Sequence, residues 1–89
     1  MIKENDKEII LKYAKQYNVS TIFLFGSSVD QDLEANDIDI AVKGIDKKLF
    51  FKFYAELYKR LSKPVDLIDL SRKSLFNELV EETGVKIYG

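Results

Sequence analysis

The segment between Asp37 and Val42 constrains the fold of this chain more than any other part. It reads Asp-Ile-Asp-Ile-Ala-Val, so acidic and β-branched residues alternate with the two-residue period of a β-strand. Ile38, Ile40 and Val42 form one face of that strand, which we expect to be buried. Asp37 and Asp39 lie on the other face. The chain must therefore build a sheet with an apolar side and an acidic side.

The remaining segments predict helices and strands in the order α-β-turn-β-α-β-α-β. A first helix is expected to begin with a cap at Asn5 or Asp6 and to end at Asn18. β-prone apolar runs predict strands over residues 21–25 and 65–70.

Two further helices follow from apolar residues at helical spacing. Asp46 is expected to cap a long helix that ends near Leu61. Ser71 is expected to cap a last helix that ends at Gly84, before a short closing strand over residues 85–88. Four residues of the last helix are predicted to face the core: Leu75, Phe76, Leu79 and Val80.

These elements predict an α/β fold of the α+β kind, with a mixed β-sheet that helices cover on one face. The chain has 89 residues, so we expect a single domain over residues 1–89. No apolar run is long enough to cross a bilayer, and the start of the chain lacks a signal-peptide pattern. We therefore expect a cytoplasmic protein without membrane association.

Composition restricts the chemistry that this chain can perform. Cysteine and histidine are both absent, which excludes disulfide bonds, thiolate or imidazole catalysis, and metal sites built from these side chains. The net charge of −1 disfavours direct binding to nucleic acids, which requires a basic face. Between residues 30 and 46, six acids and one lysine give a local charge of −5. Carboxylates in this segment are therefore the first candidates for catalysis.

A third acid, Asp66, follows the same pattern as Asp37 and Asp39. It lies on the strand predicted over residues 65–70 and opposes its apolar neighbours. If the two strands are neighbours about 4.8 Å apart, the three carboxylates meet, and two charges about 5 Å apart repel by roughly 3 kcal/mol. A divalent cation relieves this repulsion, and hard oxygen ligands select Mg²⁺ or Mn²⁺. Such ions support phosphoryl and nucleotidyl transfer. An acidic strand that serves only solubility is the open alternative.

The residues Gly26, Ser27 and Ser28 directly follow the predicted strand over residues 21–25. Glycine allows a sharp turn and the close approach of a phosphate, and successive N–H groups and hydroxyls can hold phosphate oxygens. These three residues are therefore candidates for nucleotide binding. A generic turn at the end of a strand is the alternative interpretation.

Three motifs in this order carry a resemblance to a known family. Phe25-Gly-Ser27, Asn36-Asp-Ile-Asp-Ile-Ala-Val42 and Pro64-Val-Asp-Leu-Ile68 resemble the minimal nucleotidyltransferases of the polymerase-beta superfamily. The C-terminal Glu82-Thr-Gly-Val-Lys-Ile-Tyr88 is similar to the end of the same small domains. The resemblance covers nearly the whole chain and implies the nucleotidyltransferase fold.

The resemblance also implies roles for individual residues. Gly26 and Ser27 would hold the nucleotide phosphates. Asp37 and Asp39 would ligate two metal ions, Mg²⁺ or Mn²⁺. Asp66 would complete the metal site and help to activate the attacking hydroxyl.

The resemblance to family members of this size also implies a reaction and a partner. The implied reaction is transfer of AMP, or of another nucleotide monophosphate, from ATP or another triphosphate to a hydroxyl on a partner protein. The implied partner is a HEPN-domain protein, in a pair that looks like a toxin–antitoxin module with this chain as the antitoxin. The chain is expected to be too short for an acceptor-binding domain of its own. Formation of a homodimer is an open alternative.

One departure from the family pattern supports a second hypothesis. Ser28 stands where members often carry arginine, and the loop over residues 29–35 carries three acids and no base, which disfavours triphosphate binding. The alternative function is therefore a catalytically weak or inactive binding module that neutralises its HEPN partner by masking. Phe51 and Tyr58 could serve as its surface, although core packing is the favoured interpretation of both aromatics.

Overall fold

The computed structural model describes residues 2–29 and 36–89, so the acidic loop predicted over residues 29–35 lies almost wholly outside the described residues. The described elements follow the order predicted from sequence. They are α1 (Glu4–Gln16), β1 (Thr21–Leu24), β2 (Ile38–Lys43), α2 (Phe50–Arg60), β3 (Val65–Asp69), α3 (Leu75–Thr83) and β4 (Val85–Tyr88). Short 3₁₀ turns cover Gly26–Val29 and Lys47–Leu49.

The strands form one mixed sheet, as predicted, and their order in it is β3-β2-β1-β4. β1 pairs with β2 and with β4 in antiparallel orientation. β2 and β3 are parallel, because α2 connects them as a crossover from one end of the sheet to the other. The two outermost strands are β3 and β4, and β2 lies inside the sheet.

α1 and α2 cover the face of the sheet to which the apolar side chains of β2 point. Ile38, Ile40 and Val42 are fully buried there, which confirms the alternation predicted for this strand. Phe53 and Leu57 of α2 pack into the same cluster. No helix among the described residues combines the length and apolarity that a membrane span requires.

α3 adds a feature that the sequence did not predict, because it packs on the second face of the sheet. Its Val80 forms a small cluster with Ala41 and Leu70, separate from the main core. Ala41 alternates with Ile40 and Val42 along β2, so this cluster shares a face with Asp39. The acidic face therefore has an apolar region, and α3 covers it.

The predicted cap of the last helix was wrong. Ser74, not Ser71, caps α3, and its hydroxyl accepts a hydrogen bond from the Asn77 N–H at 3.0 Å. The Ser71 N–H instead donates to the Asp69 side chain at 2.9 Å, so Ser71 belongs to the turn that leaves β3. Gly84 ends the helix as predicted.

The predicted inward orientation of α3 was also wrong, except at Val80. Leu75 is 85% exposed, Phe76 is 54% exposed and Leu79 is 55% exposed. The helical spacing of these residues indicates an apolar face, but only Val80 of that face is buried against the second face of the sheet.

α2 has the predicted extent, but two of its aromatic side chains are exposed rather than buried. Asp46 accepts a hydrogen bond from the Lys48 N–H at 2.9 Å and so starts the 3₁₀ turn that leads into the helix. Leu61 is its C-terminal cap residue. Phe51 is 77% exposed and Tyr58 is 61% exposed, so core packing was the wrong interpretation of these two aromatics.

Asp6 has a different role from the predicted cap at Asn5 or Asp6. α1 begins at Glu4, and its N-cap residue Lys3 makes no side-chain cap bond. Asp6 lies within α1 and is buried. Its carboxylate accepts hydrogen bonds from the Ser62 N–H at 3.0 Å and the Ser62 hydroxyl at 2.5 Å. This contact ties α1 to the segment that follows α2.

We expect Asp6→Ala to lower the free energy of unfolding by about 2–3 kcal/mol, because it leaves the Ser62 N–H without its charged acceptor. Denaturant unfolding followed by circular dichroism measures this change. Glu8→Ala, which removes one exposed acid from the same helix, serves as the control and should change stability far less. Equal losses for the two variants would contradict a specific role for the Asp6–Ser62 contact.

Candidate active site

The parallel pairing of β2 and β3 brings two of the predicted catalytic acids together. Asp39 and Asp66 are register partners, one on each strand. Neighbouring strands lie about 4.8 Å apart, and side chains of register partners point to the same face. Asp66 is exposed on the outer strand, whereas Asp39 is partly buried. The two carboxylates therefore stand side by side near the start of both strands.

Asp37 lies just before β2 and is exposed. Its charge acts on the same site, as the electrostatics of Asp39 show. Partial burial raises the pKa of the Asp39 carboxyl above its ordinary value, and the negative charges of Asp66 and then Asp37 raise that pKa further. The three predicted acids thus share one electrostatic site, with Asp39 at its centre.

The turn after β1 presses against this central carboxylate. Gly26 has φ of +60°, in the left-handed region, and a Cβ placed on it would lie 2.6 Å from Asp39 Oδ2. The Phe25 N–H donates to the Asp39 carbonyl at 3.2 Å, which fixes the start of the turn against β2. Glycine is therefore required here by both the backbone and the neighbouring carboxylate.

The Ser28 side chain points toward β2 and away from solvent. It is 1% exposed, and its Oγ accepts a hydrogen bond from the Asp39 N–H at 2.8 Å. Ser27 beside it is exposed. Sequence reasoning missed this backbone contact of Ser28, although a small hydroxyl residue where the family often has arginine was a signal of it. The assignment of Gly26, Ser27 and Ser28 to nucleotide binding stays a prediction.

The donor chemistry of the site fits a hard divalent cation, because Asp37, Asp39 and Asp66 offer only carboxylate oxygens. Partial burial and then the negative charges of Asp66 and Asp37 raise the pKa of Asp39. Among residues 2–29 and 36–89, however, no three acidic side chains stand in a group that could already hold a metal ion. Metal binding at these acids therefore stays a prediction.

A groove of about 370 Å³ lies at the other end of the sheet, among Lys43, Arg72, Lys73 and Asn77. Lys43 ends β2, whereas Asp39 lies near its start, so the groove is separate from the acids. Its two carboxylates, Glu78 and Glu81, lie on one helix, and Glu81 forms an ion pair with Lys43. The acids rather than this groove define the candidate site.

The chain is similar to one protein family over nearly its whole length. A family model described as "Polymerase beta, Nucleotidyltransferase" matches residues 7–89. No curated protein sequence matches the chain significantly.

Several solved structures have a similar fold. One is a chain of a toxin–antitoxin complex with AMP-PNP, at 29% identity and a TM-score of 0.76, over 93% of this chain and 73% of that chain. A second comes from the toxin–antitoxin MntA–HepT, at 26% identity and a TM-score of 0.73, over 98% and 73%. A third comes from tri-AMPylated Shewanella oneidensis HEPN toxin in complex with MNT antitoxin, at 28% identity and a TM-score of 0.72, over 94% and 70%.

We expect Asp39→Asn to stabilise the folded chain at neutral pH in metal-free buffer. A raised pKa means that the folded state binds the Asp39 proton more tightly than the unfolded state does. The charged carboxylate therefore lowers wild-type stability at neutral pH, and this loss disappears as the pH falls through the folded pKa.

Urea unfolding at about pH 7 and about pH 3 measures the effect, and the gain from Asp39→Asn should be confined to the higher pH. Asp69→Asn removes one charge from β3 at the far end of the strand and controls for net charge. A variant that is less stable than the wild type at pH 7 would contradict the electrostatic crowding.

We expect Ser28→Ala to cost about 1–2 kcal/mol of stability, because the Asp39 N–H loses its acceptor in a partly buried place. Ser27→Ala removes the same hydroxyl from an exposed neighbour and is the matched control. Thermal and denaturant unfolding of both variants measure the difference. Equal losses of stability in the two variants would contradict a specific hydrogen bond from the Asp39 N–H to Ser28.

Proposed function

The chain belongs to the polymerase beta nucleotidyltransferase family, and on that premise we propose that it transfers AMP from ATP to a hydroxyl group on a HEPN-domain partner protein. In a toxin–antitoxin pair of this kind, the chain is the antitoxin. Because the reaction consumes ATP, its place is the cytoplasm.

One observation carries the proposal: Asp39 stands in register with Asp66, and Gly26 lies against the Asp39 carboxylate. A transferase of this kind needs acids for the cation beside a turn that can approach phosphates. β1 ends at this turn, and β2 and β3 start beside it, so three strands place the two parts together.

Each acid has a role in the proposed reaction. Asp37 and Asp39 would hold Mg²⁺, which would neutralise charge on the phosphates. The acceptor oxygen attacks the α-phosphorus of ATP, the bond to the bridging oxygen breaks, and pyrophosphate leaves. Asp66 is exposed on the outer strand, so an acceptor can reach it, and its carboxylate takes the proton of the attacking hydroxyl.

The choice of nucleotide and partner rests on the similar structures. One of them contains AMP-PNP, and in another the HEPN toxin is tri-AMPylated. Both are 28–29% identical to this chain over more than nine-tenths of its length. The proposal extends their nucleotide and partner class to this chain.

Transfer of label from α-³²P-ATP to the HEPN-domain protein encoded beside this chain tests the proposal. With Mg²⁺, the wild-type chain should label the partner, and Asp37→Asn and Asp39→Asn should each reduce the rate by at least about 100-fold, because each removes a ligand of the cation. Chelation of the metal should have the same effect.

Asp69→Asn is the control for this experiment. It removes a charge from the strand that carries Asp66, while the new side chain can still accept the Ser71 N–H. It should label the partner at close to the wild-type rate. Equal labelling by the wild type and by Asp39→Asn would exclude catalysis at this site.

A second candidate function is neutralisation of the HEPN partner by masking, without transfer. The exposure of Phe51 and Tyr58 on α2 favours it, because large exposed aromatics are common in protein interfaces. A cell-growth assay with the HEPN toxin separates the two functions. Masking requires that Asp39→Asn still neutralises the toxin and that Tyr58→Glu does not.

A further inference from the structure

α3 presents an apolar surface that the described part of the chain leaves uncovered. Leu75, Phe76 and Leu79 form this surface, which we name the α3 patch, and each is more than half exposed. Monomeric proteins rarely expose several large apolar side chains together unless they bind something there. Val85, at the start of β4, is also exposed.

The helix that carries the patch is held in place from its other sides. Val80 packs against Ala41, and Glu81 forms an ion pair with Lys43 at 3.2 Å. The Asn77 side-chain amide donates to the backbone carbonyls of Asp69 and Arg72. A nine-residue helix depends on such tertiary contacts. The patch is therefore a surface of an anchored helix, available without rearrangement of the core.

The pattern of the sequence and the fold disagree at the patch. Apolar residues at the spacing of Leu75, Phe76, Leu79 and Val80 are typical of a buried helix face, yet in the structure only Val80 is buried. Disagreements of this kind are expected where a residue serves function rather than the monomer's stability. Among the described residues, nothing covers the patch, so it is a candidate contact surface.

The patch lies on the face of the sheet that carries the acids. The Phe76 ring packs edge-on against Phe25, with 6.0 Å between ring centroids, and Phe25 directly precedes Gly26. Val80 of the same helix contacts Ala41, which points to the same side of β2 as Asp39. The surface thus continues from the turn at Gly26 onto α3.

We propose that the α3 patch is the docking surface for the HEPN-domain partner and that it positions the acceptor hydroxyl over Asp39 and Asp66. This inference rests on the proposed transfer reaction. An acceptor must approach the acids from their own side of the sheet, and the patch is the exposed apolar surface that α3 provides on that side.

Charge defines the chemistry of the partner surface. Glu78 and Glu82 are exposed on α3, which contains no lysine or arginine. The complementary surface is an apolar helix face flanked by lysine or arginine residues. Such a surface would contact the leucines and phenylalanine at its centre and the glutamates at its rim.

The aromatic face of α2 has the wrong position for an acceptor. α2 packs on the face of the sheet opposite to Asp39, and its exposed Phe51 and Tyr58 are accompanied by Lys52 and Lys59. A partner docked only there would be separated from the acids by the sheet itself. The α2 face therefore provides a matched control of similar exposure and opposite charge.

The test compares two double variants of the full chain. Leu75→Glu with Leu79→Glu changes the α3 patch, and Phe51→Glu with Tyr58→Glu changes the α2 face. Calorimetry measures binding of each to the HEPN-domain protein encoded beside this chain, and unfolding curves verify that both variants fold. The α3 variant should bind at least about 100-fold more weakly, and the α2 variant should stay within about threefold of the wild type.

Label transfer from ATP then separates docking from catalysis. The α3 variant should lose transfer at partner concentrations that saturate the wild type and regain part of it at higher concentrations, whereas Asp39→Asn should bind the partner normally and transfer nothing. If the wild type binds through the patch but transfers no label, the proposed reaction is wrong and the docking surface stands.

Three outcomes would overturn the inference. The first is an α3 variant that binds and labels the partner like the wild type, which leaves the proposed reaction intact. The second is loss of binding in the α2 variant alone, which favours masking. The third is a homodimer of the wild-type chain in analytical ultracentrifugation that dissociates in the α3 variant, since a second copy would then cover the patch.

Discussion

The register between β2 and β3 is the constraint on which the candidate site depends. It places Asp39 beside Asp66 even though both side chains carry negative charge. On the opposite face, the same register buries Ile38, Ile40 and Leu67, each of which contributes about 1.5–3 kcal/mol. A slip of one residue would turn these side chains to water and the aspartates to the core. The buried apolar face therefore holds the like charges together. Partial burial, and then the charges of Asp66 and Asp37, raise the pKa of Asp39.

The parts of the fold that sequence predicted well are those with a strict period. Alternation along residues 37–42 assigns each side chain to one face, and Asp66 follows the same rule on its own strand. Helix caps were harder to predict, because several polar residues compete for each position. Asp6 binds Ser62, which lies 56 residues away, and no local pattern contains that information.

Two further failures have a common physical origin. Periodicity shows that α3 and α2 have apolar faces, but not whether the chain contains anything to cover them. On the acidic side of the sheet, the cluster around Ala41 and Leu70 buries Val80, while Leu75 remains exposed. In the turn after β1, the residue types predicted a sharp bend, but not that the Ser28 hydroxyl would point at the Asp39 N–H. Side-chain direction in such a turn depends on the neighbouring strand.

The position of β3 at the edge of the sheet has a consequence for how the molecule behaves in a crowded solution. An edge strand carries unpaired backbone N–H and C=O groups, to which a strand of another molecule can add. β3 is only five residues long, and two of them, Asp66 and Asp69, are acids. Negative charge on so short an edge discourages strand addition and the aggregation that follows from it. The exposed carboxylate of Asp66 thus also protects the open edge of the sheet.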